Sequence, residues 1–171
     1  MDGHTVAETN ASHFKFAVTS SPESWELALG DVQHVDPTAR ILETVGPGIF
    51  VVQSQESQPT LSSSLRTSGV FVRHLFPVLV TVDLTGGEED VRAIAAASLA
   101  LQEHMARSQN FSVQTRVLSS RAYGNYDVNT AVADLFVQHG YILDVRRPQR
   151  VISIVCTETS ALLGASAVII I

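Results

Sequence analysis

The chain has 171 residues, 45% of them apolar and 16% charged, with a formal net charge of −6. That composition provides for one domain or two small ones with a filled core and argues against disorder. It also excludes a generally basic polyanion binder, so any contact with nucleic acid has to be local. Met1 to Ser12 is polar and aperiodic and reads as a flexible terminus. HFKFAVTS reads as a strand, and Ser21-Pro22 as a helix start whose stripe is Trp25, Ala28, Leu29 and Val32. ARILETV and GIFVVQS are two strands joined by Gly46-Pro47-Gly48, a hairpin signal. A serine-rich helix over Leu61–Ser68 and the strand GVFVRHLF follow.

Strand, helix, strand, strand, helix, strand is the order of a ferredoxin-like βαββαβ sandwich, an α+β arrangement with helices on one face of an antiparallel sheet. Phe76-Pro77 is a natural boundary, because proline interrupts sheet pairing. Beyond it, VLVTVDL reads as a strand, Thr85-Gly86-Gly87 as a turn, and Glu88, Glu89 and Asp90 as the acidic opening of a long helix. The stripe of that helix is Val91, Ile94, Ala95, Leu101 and Met105, with Ser98 as a small residue for close packing. In FSVQTRV, Phe111, Val113, Thr115 and Val117 share one face, and Ser112, Gln114 and Arg116 the other. Val128, Ala131, Val132, Leu135 and Phe136 recur at helical spacing, with Asp127 as cap, His139 in the last turn and Gly140 as stop. VISIVC is a β-branched strand, and ETS at Glu158–Ser160 turns into a last strand. The chain thus divides into 1–12, 13–76 and 77–171. The bare Val168-Ile169-Ile170-Ile171 ending lacks a polar closing turn, which predicts that the native protein continues past Ile171.

Charge is unevenly placed. Up to position 60 the cations are Lys15 and Arg40 alone, against a run of acids from Asp2 to Glu56. From Phe111 onward Arg116, Arg121, Arg146, Arg147 and Arg150 face few acids, and Lys15 is the only lysine in the chain. A solvated face is the ordinary explanation of such a group. Guanidinium forks nevertheless suit phosphate oxygens, and Tyr123 and Tyr126, flanking the Arg121 loop, could stack on unpaired bases. The expectation is that these side chains converge on one ridge as an RNA-binding set, with Arg73 as a further member.

Other chemistry is poorly represented. VDLTGG at Val82–Gly87 has the outline of a nucleotide loop, but no full G-x-G-x-x-G is present and three acids follow it, so it reads as a turn. His4, His13, His34, His74, His104 and His139 lack metal-ligand spacing and read as surface or helix-end residues. No G-x-S-x-G elbow occurs. Cys156, the single cysteine, reads as a buried small hydrophobe of a reducing, cytoplasmic protein. The apolar tail from Ala161 to Ile171 falls short of the roughly 20 residues that a membrane helix needs.

Phe-Ser-Val-Gln-Thr-Arg at Phe111–Arg116, the helix after it, Leu143-Asp144-Val145, Arg147-Pro148 and VISIV together resemble a THUMP domain. LRTSGVFVRHLFPV at Leu65–Val78 followed by GGEEDVRAI further resembles the N-terminal half of the FtsJ-like ribosomal RNA ribose 2′-O-methyltransferases that carry THUMP domains. The resemblance implies a ferredoxin-like domain over 13–76 and a THUMP RNA-binding domain over 77–171. It further implies docking of structured RNA, ribosomal in that family, for a catalytic domain after Ile171. That family's Lys-Asp-Lys-Glu catalytic set cannot come from a chain whose one lysine is Lys15, so this chain has no catalytic residues. S-adenosylmethionine is then the cofactor of the parent enzyme, with no cofactor or metal held here. Two alternatives stay open: a stand-alone THUMP adaptor, and a regulatory α+β module that oligomerises through its sheet edges.

Overall fold

A computed structural model describes residues 13–119 and 122–167. The flexible terminus read at Met1–Ser12, the Val168–Ile171 ending and Arg121 lie outside the described residues.

The first half is an antiparallel sheet of four strands in the order β2-β3-β1-β4. β1 (Phe14–Thr19), α1 (Trp25–Val35), β2 (Arg40–Gly46), β3 (Ile49–Ser54), α2 (Gln58–Ser68) and β4 (His74–Pro77) follow one another as expected for the ferredoxin-like arrangement. Gly48 makes the hairpin at φ +70°, where a side chain is disfavoured. Phe16 and Val18 of β1 and Phe50 and Val52 of β3 meet Ala28 and Val32 of α1 and Leu61 and Leu65 of α2 in one core. Their neighbours Ala17 and Ile49, one step away and so on the opposite face, belong to a separate cluster with Phe76 and Val155. Burial on both faces is why β1 does not alternate between apolar and polar.

The second half is a five-stranded mixed sheet in the order β5-β9-β8-β6-β7. β5 (Val80–Asp83), α3 (Glu89–Ser98), β6 (Asn110–Val117), α4 (Asn125–Gln138), β7 (Ile142–Leu143), β8 (Arg150–Cys156) and β9 (Ser160–Ala167) build it. β6 runs parallel to β7 and β8, whereas β9 is antiparallel to β8 and β5. Its core joins Ile94 of α3, Val128, Val132 and Phe136 of α4, and Phe111, Ile152, Ile154, Cys156 and Leu163 of the sheet. Both α3 and α4 therefore cover one face. The other, carrying Val155, is turned towards the first sheet.

Several local expectations are revised. Pro77 pairs with Phe16 as the last residue of β4, an edge position where a missing N–H leaves no bond unmade. GVFVRHLF is strand only from His74. Upstream, the amides of Val70, Phe71 and Val72 donate to Asp31 Oδ2, which replaces sheet pairing. The long helix ends at Ser98 and tightens into a 3₁₀ segment over Leu99–His104. Gly124 is the N-cap of α4, and Asp127 accepts the Gly124 N–H from three residues on at 2.8 Å. Gly140, at φ +88°, ends that helix as read.

The two sheets are joined without a linker. The Val78 N–H donates to the Lys15 carbonyl at 2.9 Å and the Leu79 N–H to that of Leu163 at 2.9 Å. Gly164 lies so close to the Pro77 carbonyl that a Cβ there would collide with it.

Candidate nucleic-acid interface

Where the two helix-free faces diverge, they enclose a cleft of about 620 Å³. Strand register explains its lining. Thr19 pairs with His74 and Ala17 with Phe76, so these residues share the face of the first sheet that carries no helix. On the second sheet Gln114 pairs with Ser153 and Arg116 with Val155, one step out of phase with the core residues Ile152 and Ile154. Thr19, Arg73, His74, Gln114, Arg116, Asn125, Ser153 and Ser166 supply the polar lining, and Phe76 and Val155 lie on the apolar floor. Among the described residues no Asp or Glu lines it, although the chain carries a net −6.

Arg73 is fixed by its own N–H, which donates to the Thr19 carbonyl at 2.8 Å. His74 Nδ1 is 3.1 Å from Thr19 Oγ1. Asn125 Oδ1 accepts the Val117 N–H at 2.8 Å, tying the start of α4 to the end of β6. The imidazole of His74 is partly stripped of water by the cleft walls, which lowers its pKa, and the Arg116 and Arg73 guanidinium groups lower it further. His74 is thus held towards its neutral form first by desolvation and then by cations from both halves.

The predicted arginines do not form one ridge. Arg150 pairs with Phe111 at one end of β6 and β8, and Arg116 with Val155 near the other, roughly 17 Å away at ~3.3 Å per residue. Their faces differ too, because Arg150 is in phase with the core residue Ile152 and Arg116 is not. Nε of Arg150 donates to Gln109 Oε1 at 3.1 Å. Arg146 and Arg147 are exposed in the turn after β7, where their backbone amides donate to Asp144 Oδ1 at 3.0 and 2.9 Å. Two basic zones result: Arg73 and Arg116 in the cleft, and Arg146, Arg147 and Arg150 at the far end of the strands. Tyr126 is 79% exposed, whereas Tyr123 is 6% exposed and donates to Asp90, which removes it from any stacking role.

His74 is the cleft residue that sequence reading passed over as a surface histidine. The available signal was its position next to Arg73 and out of phase with Leu75, on the strand face that the helices do not use.

The glycine loop after β5 does not fit a nucleotide or S-adenosylmethionine. The Thr85 and Gly86 amides donate at 2.8 Å to the Asp90 carboxylate, so these donors are already taken and are not free for a nucleotide phosphate or for the carboxylate of S-adenosylmethionine. Among the described residues no group of three or more His, Cys, Asp or Glu side chains is placed to hold a metal ion. No helix among them is long and apolar enough to cross a membrane.

Comparison with known proteins shows what the architecture is similar to. Over 89% of this chain the fold resembles TrmN from Thermus thermophilus at a TM-score of 0.66 and 19% identity, covering 45% of that protein. It resembles a 4-thiouridine synthetase, solved as an RNA complex with bound ATP, over 93% of this chain and 42% of that one, at a TM-score of 0.54 and 17% identity. A third structure, "a possible methylase" from Clostridium difficile 630, aligns over 90% of this chain and 41% of its own length, at a TM-score of 0.63 and 10% identity. The chain therefore spans less than half the length of these proteins. No match was found among curated protein sequences. The THUMP domain model matches residues 88–165, the segment from the start of α3 into β9.

Proposed function

We infer that the chain is the RNA-docking part of an RNA-modifying enzyme, in which residues 13–76 and 77–171 act as one rigid binding unit for a separate catalytic domain. The observation that carries this reading is the THUMP domain match at 88–165, set against a first sheet in an arrangement that a 4-thiouridine synthetase with bound RNA shares. Similarity to TrmN and to a possible methylase supports methyl transfer as the parent chemistry. S-adenosylmethionine would then be held by the catalytic domain, since the Gly86 amide is already taken by Asp90. Ribose 2′-O-methylation of ribosomal RNA is the narrower form of this proposal, with the cytoplasm as its compartment.

RNA contact is assigned to Arg73 and Arg116 in the cleft and to Arg146, Arg147 and Arg150 beyond it. Arg121 belongs to the same set on its sequence position alone. Exposed Tyr126 offers a ring to an unpaired base. Titration of a structured RNA at several salt concentrations tests the reading. Each phosphate bound is expected to add about 0.7–0.9 to the slope of log affinity against log salt. A chain that binds no RNA at low salt, alone or joined to its catalytic domain, overturns it. Assays for methylated ribose, with the catalytic domain present, decide the narrower form.

A further inference from the structure

Arg73 lies just before β4 of the first sheet and Arg116 in β6 of the second, and both guanidinium groups act on His74. Two like charges on facing walls repel, and among the lining residues no carboxylate offsets them. His74 Nδ1 lies 3.1 Å from Thr19 Oγ1, a neutral partner. We propose that the cleft is a phosphate site bridging the two sheets, in which one phosphate group is gripped by Arg73 and Arg116 and its binding draws a proton from solvent onto His74. The proposal deepens the RNA-docking reading and rests on it for its natural ligand, a backbone phosphodiester, while the site itself is defined by phosphate chemistry.

The proton balance follows from the charges. In the free protein desolvation by the cleft walls, and then Arg116 and Arg73, disfavour imidazolium and lower the His74 pKa. An anion between them cancels that repulsion and adds an attraction, which raises the affinity of His74 for a proton. The proton comes from solvent, and the imidazolium becomes a third donor to the phosphate. The charged groups that act on His74 are Arg73, on its own strand approach, and Arg116 of β6; Thr19 of β1 is neutral. A ligand that raises a pKa binds more tightly as pH falls, by up to about tenfold per pH unit for one proton.

The full 171-residue chain is titrated between pH 5 and 8 while the His74 imidazole is followed by NMR, first alone, then with inorganic phosphate, then with a single-stranded oligoribonucleotide. Both additions are expected to raise the His74 pKa. Arg73→Gln and Arg116→Gln should each raise it in the free protein and weaken the response to phosphate. His74→Gln should abolish the pH dependence of affinity between pH 6 and 7.5 with little change at pH 8. A His74 titration in the unaltered protein indifferent to both additions overturns the site, whatever the variants do. If inorganic phosphate shifts His74 but RNA does not bind, the site stands and the RNA reading falls. If RNA binds and neither RNA nor inorganic phosphate shifts His74, the RNA reading stands and this site falls.

Discussion

Tyr123 donates its phenolic proton to Asp90 Oδ2 at 2.8 Å, joining the segment before α4 to the first turn of α3. Asp90 is 1% exposed. Burial alone would push its pKa up, but hydrogen bonds from the Thr85 amide, Tyr123, the Gly86 amide and the Thr85 hydroxyl outweigh this and hold it below the usual carboxylate range. Tyr123→Phe is expected to lower stability by about 1–3 kcal/mol, the cost of leaving a charged acceptor short of a donor. Asp90→Ala should cost more, since it leaves the Thr85 and Gly86 amides without their acceptor. Urea unfolding of both variants checks the order; equal losses would mean that the loop amides find other partners.

Acid should unfold the first half through Asp36. Burial raises its pKa, yet the Ser54 and Thr38 hydroxyls and the Gln55 and Thr38 amides bring it down to about 2. A depressed folded-state pKa gives stability that is complete above the ordinary carboxylate value of ~3.9 and is lost as pH falls towards about 2. Asp36→Asn should therefore flatten the stability–pH curve in that window while lowering stability at neutral pH. Denaturant midpoints collected from pH 2 to 6 measure it.

Two glycines should respond in opposite ways to alanine. A Cβ on Gly164 would meet the Pro77 carbonyl at the junction of the two sheets. Gly164→Ala is expected to lower stability by about 1–3 kcal/mol and to weaken RNA binding by shifting β9 against β4. Gly30, inside α1, has nothing within 4 Å of such an atom. Gly30→Ala should raise stability by about 0.4–1 kcal/mol with unchanged RNA affinity. Thermal melts and RNA titrations on both proteins test the pair.

The two basic zones should be separable. Arg146→Ala with Arg147→Ala is expected to reduce the salt slope of RNA binding by about 0.7–0.9 for each phosphate no longer neutralised, without altering the pH dependence. Arg116→Ala should reduce the slope and the pH dependence together, because it acts on His74. Tyr126→Ala should cost about 1–3 kcal/mol in affinity for single-stranded RNA and leave a duplex unaffected. An Arg146/Arg147 variant with unchanged slope and affinity would mark that turn as an ordinary solvated surface.

Periodicity in the amino-acid sequence determined most of the elements. The ladder of Phe111, Val113 and Val117, the helical spacing of Val128, Val132 and Phe136, and the Gly46-Pro47-Gly48 hairpin all encode local geometry, which depends on neighbours in the chain. The same local rules overextended GVFVRHLF and the helix before Met105. Both end where distant or tighter hydrogen bonding takes over, through Asp31 in the first and a 3₁₀ turn in the second. Tertiary structure decided which arginines meet. Strand register is fixed by pairing between segments far apart in sequence, and it sends Arg116 and Arg150 to opposite faces and opposite ends of adjacent strands. It also brings His74 and Arg73 into one cleft with Arg116, because β4 packs its helix-free face towards that of the second sheet.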